Sequence, residues 1–157
     1  MKQLKLDKID RKILKNLQSD GRITNVELAK EAGISAPPCL RRVRALEENG
    51  FIKGYHAKVD PASMGYGVTV FAQVKLVSQA EADLNSFEAL ITSWENVREC
   101  WMLAGETDFL LKIVARDWDD YQKFLTEHLT AAPNVTSVKS SLAIRASKDE
   151  PGIPIEI

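Results

Sequence analysis

The 157 residues carry 21 Lys and Arg against 22 Asp and Glu, a formal net charge of -1, with 45% hydrophobic residues and two cysteines, Cys39 and Cys100. This length suffices for one medium domain or two small ones with real cores. Two distant cysteines without paired histidines give neither a zinc site nor a disulfide framework, and no apolar run approaches the roughly 18 residues of a membrane helix. The near-neutral total hides a division. Residues 1–60 carry 13 basic and 8 acidic side chains, a charge of +5, and residues 61–157 carry 8 and 14, a charge of -6. A basic part beside an acidic one points to polyanion contact confined to the first. The opening MKQLKLDKID has no apolar leader core, so a soluble, cytoplasmic protein is expected.

From Asp7 to Ser19, Ile9, Ile13 and Leu17 recur every fourth residue, with Leu6 and Leu14 on the same side and Asp7 and Asp10 complementing the dipole at the start. This is a first helix, closed by Asp20-Gly21-Arg22. Thr24 and Glu27 have capping-box spacing, so a second helix opens near Asn25, buries Leu28, Ala29 and Ala32, and ends at Gly33, which can take the left-handed conformation. After the turn Gly33–Ser35, Ser35 suits an N-cap, and Pro37 and Pro38 suit a first turn. A third helix then runs to about Asn49 and stops at Gly50. At about 100° per residue, Leu40, Val43 and Leu46 form its expected buried stripe, leaving Arg41, Arg42 and Arg44 facing solvent. A strand is expected from Phe51 to Val59. Asp60-Pro61 and Gly65-Tyr66-Gly67 mark a linker, with a domain boundary near residue 61. Two helices joined by a tight turn, the second with an arginine face, match the helix-turn-helix, whose second helix enters the major groove. A basic, solvated helix in an ordinary bundle fits the spacing equally well.

The second part alternates strand and helix patterns. Val68, Val70, Ala72, Val74 and Leu76 alternate with Thr69, Phe71, Gln73 and Lys75 as a strand. Leu84, Phe87, Leu90, Ile91 and Trp94 make a helical stripe. Val97–Ala104 and Phe109–Ala115 read as strands joined by Gly105-Glu106-Thr107-Asp108, a hairpin length. Asp117 caps a helix with the stripe Trp118, Tyr121, Phe124, Leu125, His128 and Leu129, and Val135–Arg145 is the last strand. The order β-α-β-β-α-β is the ferredoxin-like split arrangement, with both helices on one face of an antiparallel sheet. Candidate residues of the other face are as apolar as those under the helices, so self-association is expected there. Residues 147–157 lack periodicity and are either disordered or laid along a neighbouring subunit.

Little here carries reaction chemistry. His56 and His128 stand far apart without a supporting nucleophile or carboxylate and read as structural. There is no Walker loop, dinucleotide fingerprint or nucleophile elbow, so no catalytic residue and no metal ligand is assigned, and an enzyme is not expected. Gly105–Asp108 is the one place in the acidic half suited to holding a small polar ligand. Glycine allows close backbone approach, Thr107 offers a hydroxyl, and Asp108 can accept from an α-ammonium group. A plain hairpin turn accounts for the same residues more simply.

The run GISAPPCLRRVRALEENGFIKGY, Gly33 to Tyr55, resembles the recognition helix and following strand of the Lrp/AsnC family of bacterial regulators. GETDFLLKIVARD, Gly105 to Asp117, resembles that family's ligand-loop signature. The resemblance extends from about Leu6 to about Ile144. It implies an α+β chain with an N-terminal three-helix winged helix-turn-helix and linker strand (residues 1–60), a C-terminal ferredoxin-like βαββαβ domain for oligomerisation and effector binding (61–146), and a tail (147–157). Its DNA-binding positions are Ser35, Pro37, Pro38 and Cys39 at the helix start, where free amides hold phosphate, with Arg41, Arg42 and Arg44 along the helix and Lys53 beyond it. Arg41 is the first choice for reading bases, and pairing of Arg44 with Glu47 or Glu48 is an equal alternative to a DNA role. The matching effector positions are Met102, Gly105, Glu106, Thr107 and Asp108, with Thr136, Ser140 and Ser141 on the last strand. The implied partners are double-stranded DNA, a small amino acid such as leucine or methionine, and further copies of the chain, as dimers assembling toward octamers. No cofactor is expected. The competing reading is an amino-acid-binding oligomeric module without a DNA role.

Overall fold

The computed structural model describes residues 5–157, so Met1–Leu4, part of the stretch read for a leader, lie outside it. The described chain divides into two compact units, one formed by residues 5–58 together with Lys148–Ile157 and the other by Val59–Ser147.

The first unit is built on α1 (Lys8–Ser19), α2 (Asn25–Ala32) and α3 (Ala36–Glu48). Local chemistry sets each boundary. Asp7 and Asp10 close a capping box at α1, as Thr24 and Glu27 do at α2, each satisfying amides that a helix start leaves unpaired. Gly33 ends α2 at φ 78°, and Ile34 donates its N–H to Ala29 at 3.0 Å, closing the turn. Ile13, Leu28, Ala29, Ala32, Cys39 and Leu46 form the core, with Val43 and Ile52 packed against it. Fully burying a side chain such as Leu46 contributes about 1.5–3 kcal/mol.

Four expectations for this unit are corrected. Ser35 occupies the N-cap of α3, but its side chain makes no cap hydrogen bond. The buried stripe of α3 runs through Cys39 and Leu46, whereas Leu40 is 40% exposed. Residues 51–59 form no strand. A strand needs a neighbour to satisfy its amides and carbonyls, and among the described residues the segment has none. The tail is neither disordered nor left apart from its own chain. Gln18 Nε2 donates to the Ile153 carbonyl at 2.6 Å while Ile153 N–H donates to Gln18 Oε1 at 3.1 Å, and Lys58 Nζ meets Asp149 Oδ2 at 2.6 Å.

The second unit holds β1 (Val68–Leu76), α4 (Glu81–Ile91), β2 (Val97–Met102), β3 (Phe109–Ala115), α5 (Trp118–Phe124) and β4 (Val135–Leu142). Asp117 caps α5 through Asp120 N–H, and α5 continues into a wider π turn at Leu125–Leu129. The sheet order is β2-β3-β1-β4, antiparallel throughout, with the βαββαβ connection expected. Val70, Ala72, Val74, Leu76, Phe109, Leu111, Ile113 and Ala115 point to the helix side and pack on Phe87, Ile91, Tyr121, Phe124 and Leu129. The opposite face is less apolar than expected. Register puts Trp101, Leu110, Gln73 and Lys139 in one row and Glu99, Lys112, Phe71 and Ser141 in the next, and Lys112 pairs with Glu99 at 2.9 Å. Among the described residues, no helix is long and apolar enough to cross a membrane.

Candidate functional site

The orientation of α3 follows from what it buries. With Cys39 and Leu46 inward, Pro37, Leu40, Arg41 and Arg44 fall together on the exposed side. Asn25 Nδ2, at the start of α2, donates to the Ala36 carbonyl at 2.8 Å and fixes the angle of the turn. Among the described residues no ion pair joins Arg44 to Glu47 or Glu48; Glu47 instead accepts from the Tyr55 hydroxyl at 2.8 Å. Burial and then this bond push the Tyr55 phenol up to about 12. Lys53 is exposed beyond the helix.

Two of the proposed DNA ligands face the other way. Cys39 is fully buried in the head core and cannot reach a nucleic acid, and burial raises its thiol above the ordinary range. Arg42, expected in solvent, is half-buried, with Nη1 at 2.6 Å from Asp10 Oδ1 and 2.8 Å from Asp7 Oδ2. These carboxylates hold the guanidinium charged. Asp7 is held below the usual carboxylate range by the Asp10 amide first and by Arg42 as well. The expected phosphate cradle at the start of α3 is also reduced. Pro37 and Pro38 have no N–H, and the Cys39 N–H is spent on the Ser35 carbonyl at 3.2 Å. The exposed Ser35 hydroxyl remains available there.

In the second unit the loop is longer than four residues, because β2 stops at Met102 and β3 starts at Phe109. Asp108 anchors it: Oδ2 accepts from the Leu76 N–H at 2.7 Å and from Gln79 Nε2 at 3.3 Å, and its backbone bonds Val74 and Leu103. The carboxylate is therefore partly committed to the protein. Gly105 and Glu106 are exposed, Thr107 is half-buried, and a Cβ at Gly105 would meet nothing within 4 Å, so the glycine is not demanded by packing. Met102 lies on the exposed edge strand beside this loop. The last-strand candidates do not converge. Ser140 pairs across from Ala72 on the helix side and hydrogen-bonds the Tyr121 hydroxyl, whereas Ser141 pairs across from Phe71 on the open face. Thr136 falls at a bulge between the partners of Leu76 and Lys75. His56 is exposed, and His128 stacks with Trp94 and Phe124 at ring separations of 5.9 and 5.5 Å.

Sequence reasoning missed Asp7 and Asp10 as partners of Arg42, Leu40 as a member of the exposed face, and Gln79 beside Asp108. None had a local signal, since each relation joins residues distant in sequence or depends on helix rotation.

A basic helix-turn-helix head followed by a ferredoxin-like domain with a polar loop is the plan of a ligand-responsive transcriptional regulator. Residues 6–53 match the winged helix-turn-helix DNA-binding model, and residues 69–153 match the Lrp/AsnC ligand binding domain. The chain is 53% identical over 147 residues to the leucine-responsive regulatory protein of Rhizobium meliloti, covering 94% of each. It is 40% identical over 141 residues to the Bkd operon transcriptional regulator of Pseudomonas aeruginosa, covering 90% of this chain and 92% of that one. Among solved structures, a Neisseria meningitidis transcriptional regulator in complex with L-Met matches with a TM-score of 0.91 at 35% identity, covering 96% and 97% of the two chains. AsnC of Escherichia coli matches at 0.83 and 26% identity, covering 93% and 97%. The chain belongs to the Lrp/AsnC family of transcriptional regulators. It binds DNA through its head and carries an amino-acid-binding domain, and its relatives are regulators, not enzymes.

Proposed function

We propose that this regulator reads DNA with the outward face of α3 and responds to a small apolar amino acid, methionine or leucine, at the loop between β2 and β3. Residues 1–60 act as the DNA-binding domain and 61–146 as the domain for assembly and effector binding, in a cytoplasmic protein. Arg41 and Arg44 supply base and phosphate contacts, Leu40 and Pro37 apolar ones, and Ser35, Pro38 and Lys53 flank them. The observation that carries this reading is the shared exposure of Pro37, Leu40, Arg41 and Arg44 on one helix face. For the effector, Thr107, Glu106 and the free side of Asp108 offer polar groups and Met102 an apolar wall. The loop is open, and Ser140 and Ser141 face opposite ways, so a second subunit completes the site. Dimers assembling toward octamers supply that subunit and link several heads on one duplex. An effector at such an interface alters DNA binding by its differential affinity for the assemblies.

A thermal-shift screen against the twenty amino acids, with light scattering on each hit, tests the sensor, since a ligand of the native state raises apparent stability by mass action. Thr107→Val should abolish the shift while leaving the unliganded melting temperature nearly unchanged. Asp108→Ala is the poorer probe, because it also removes the acceptor of Leu76 N–H. A salt titration of DNA binding tests the head: Arg41→Ala and Arg44→Ala should each weaken binding and lower the logarithmic salt slope by about 1. Salt-insensitive binding, or slopes unchanged in both variants, would overturn the assignment of these arginines.

A further inference from the structure

Arg42 is the arginine of α3 that turns inward, and its surroundings are fully specified. Asp7 Oδ1 accepts from the Asp10 N–H at 2.8 Å and Asp10 Oδ2 accepts from the Asp7 N–H at 3.1 Å, the two halves of the α1 cap. The remaining oxygen of each carboxylate, Asp7 Oδ2 and Asp10 Oδ1, accepts from Arg42 Nη1. All four carboxylate oxygens therefore have a partner, and Asp10, at 6% exposure, has little access to water as a substitute. A guanidinium in this position ties the rotation of α3 to the start of α1. At about 100° per residue, Arg44 lies about 200° round from Arg42, and Arg41 about 100°. Holding Arg42 against α1 therefore holds Arg41 and Arg44 outward.

We propose that Arg42 is a positioning residue for DNA reading: it touches neither phosphate nor base, and it clasps α3 to the capping carboxylates of α1 so that Leu40, Arg41 and Arg44 meet the major groove in register. The inference rests on the DNA-reading role of the head and assigns Arg42 a part opposite to that of its neighbours. It also reverses what charge alone dictates. Removing a carboxylate from a DNA-binding head ordinarily strengthens binding to a polyanion. Here the loss of Asp10 weakens binding, because it leaves Arg42 without its buried partner and frees the helix.

The test uses the full-length protein and a duplex that the wild type selects from a random pool, with affinities measured at several salt concentrations below the melting temperature of every variant. Arg42→Gln and Asp10→Asn should each weaken binding by tenfold or more with the salt slope unchanged. The double variant should bind no more weakly than either single one, since both break the same clasp. Circular dichroism establishes that the bound species is folded, and Asp7→Asn, at the more exposed carboxylate, carries the comparison if Asp10→Asn does not fold. Unchanged or tighter binding by the carboxylate variants overturns the proposal. If Arg42→Gln then lowers the slope by about 1, Arg42 is a phosphate ligand; if only the melting temperatures fall, its role is confined to stability. A wild type that selects no duplex fails before any variant is compared, and that result removes the DNA-reading premise as well.

Discussion

At the scale of single residues, α3 is a helix whose rotation decides its function. Sequence periodicity placed Val43 and Leu46 on the buried side of α3 as they lie, but took Leu40 in place of Cys39, because leucine outranks cysteine as an apolar signal. In the fold Cys39 fills the core and Leu40 stands outside beside Arg41 and Arg44. An apolar side chain on a reading face suits a thymine methyl group. Replacing thymine by deoxyuridine in a selected duplex should thus weaken wild-type binding several-fold at one or two positions and leave Leu40→Ala unaffected there; equal sensitivity of both proteins would exclude that contact. Arg42 was misread for a different reason, since Asp7 and Asp10 lie 35 and 32 residues away and only tertiary packing brings them to it. Tyr55 gives a pH prediction. Its folded pKa of about 12 lies above the ordinary 10.0, because burial and the bond to Glu47 favour the protonated phenol. The contribution is full below pH 10 and is lost as pH rises through about 12. Tyr55→Phe should remove one late-titrating phenol from the ultraviolet titration and flatten the alkaline loss of head stability.

At the scale of elements, what the sequence made legible was local. Capping boxes at Thr24/Glu27, the left-handed Gly33 and the Asp117 cap each depend on residues within three or four positions, and all lie where spacing puts them. The alternation of β1 was legible because helices cover only one face of the sheet. Two segments whose state depends on distant contacts were not legible, although the strands of the sheet were. Residues 51–59 have strand-like composition but no ladder among the described residues, and the aperiodic tail is ordered by Gln18, 135 residues from Ile153. The tail's fit is specific at Gly152, where φ is 74° and an added Cβ would lie 2.0 Å from Gln18 Oε1. Gly152→Val must both strain the backbone and displace Gln18. It should release the tail, seen as faster hydrogen exchange at Ile153 and faster proteolysis after residue 147, with the α1–α3 core still folded. Unchanged protection of Ile153 would mean that the paired hydrogen bonds to Gln18 do not hold the tail.

At the scale of the whole molecule, the opposite charges of the two parts suit a basic surface for DNA and an assembly surface that phosphate does not attract. The open sheet face of the second unit is the surface we propose for assembly. It is neither uniformly apolar nor fully polar: Phe71, Leu110 and Trp101 form a band bordered by Gln73, Lys139 and the Glu99–Lys112 pair. Such a patch matches an interface with an apolar centre and a polar rim, in which aromatic residues carry a large share of the binding energy. Trp101, 61% exposed in the single chain, contributes little to the fold of its own domain. Trp101→Asp should therefore leave the melting of an isolated subunit within about 0.5 kcal/mol of wild type, while light scattering records a smaller assembly. If linked heads supply avidity, the same variant should also bind DNA more weakly with α3 untouched, and the loss should be greatest on duplexes carrying several half-sites in phase. An unchanged mass would place the assembly surface elsewhere. A smaller mass with undiminished binding to multi-site DNA would separate assembly from DNA reading, leaving the effector to act on each head by another route.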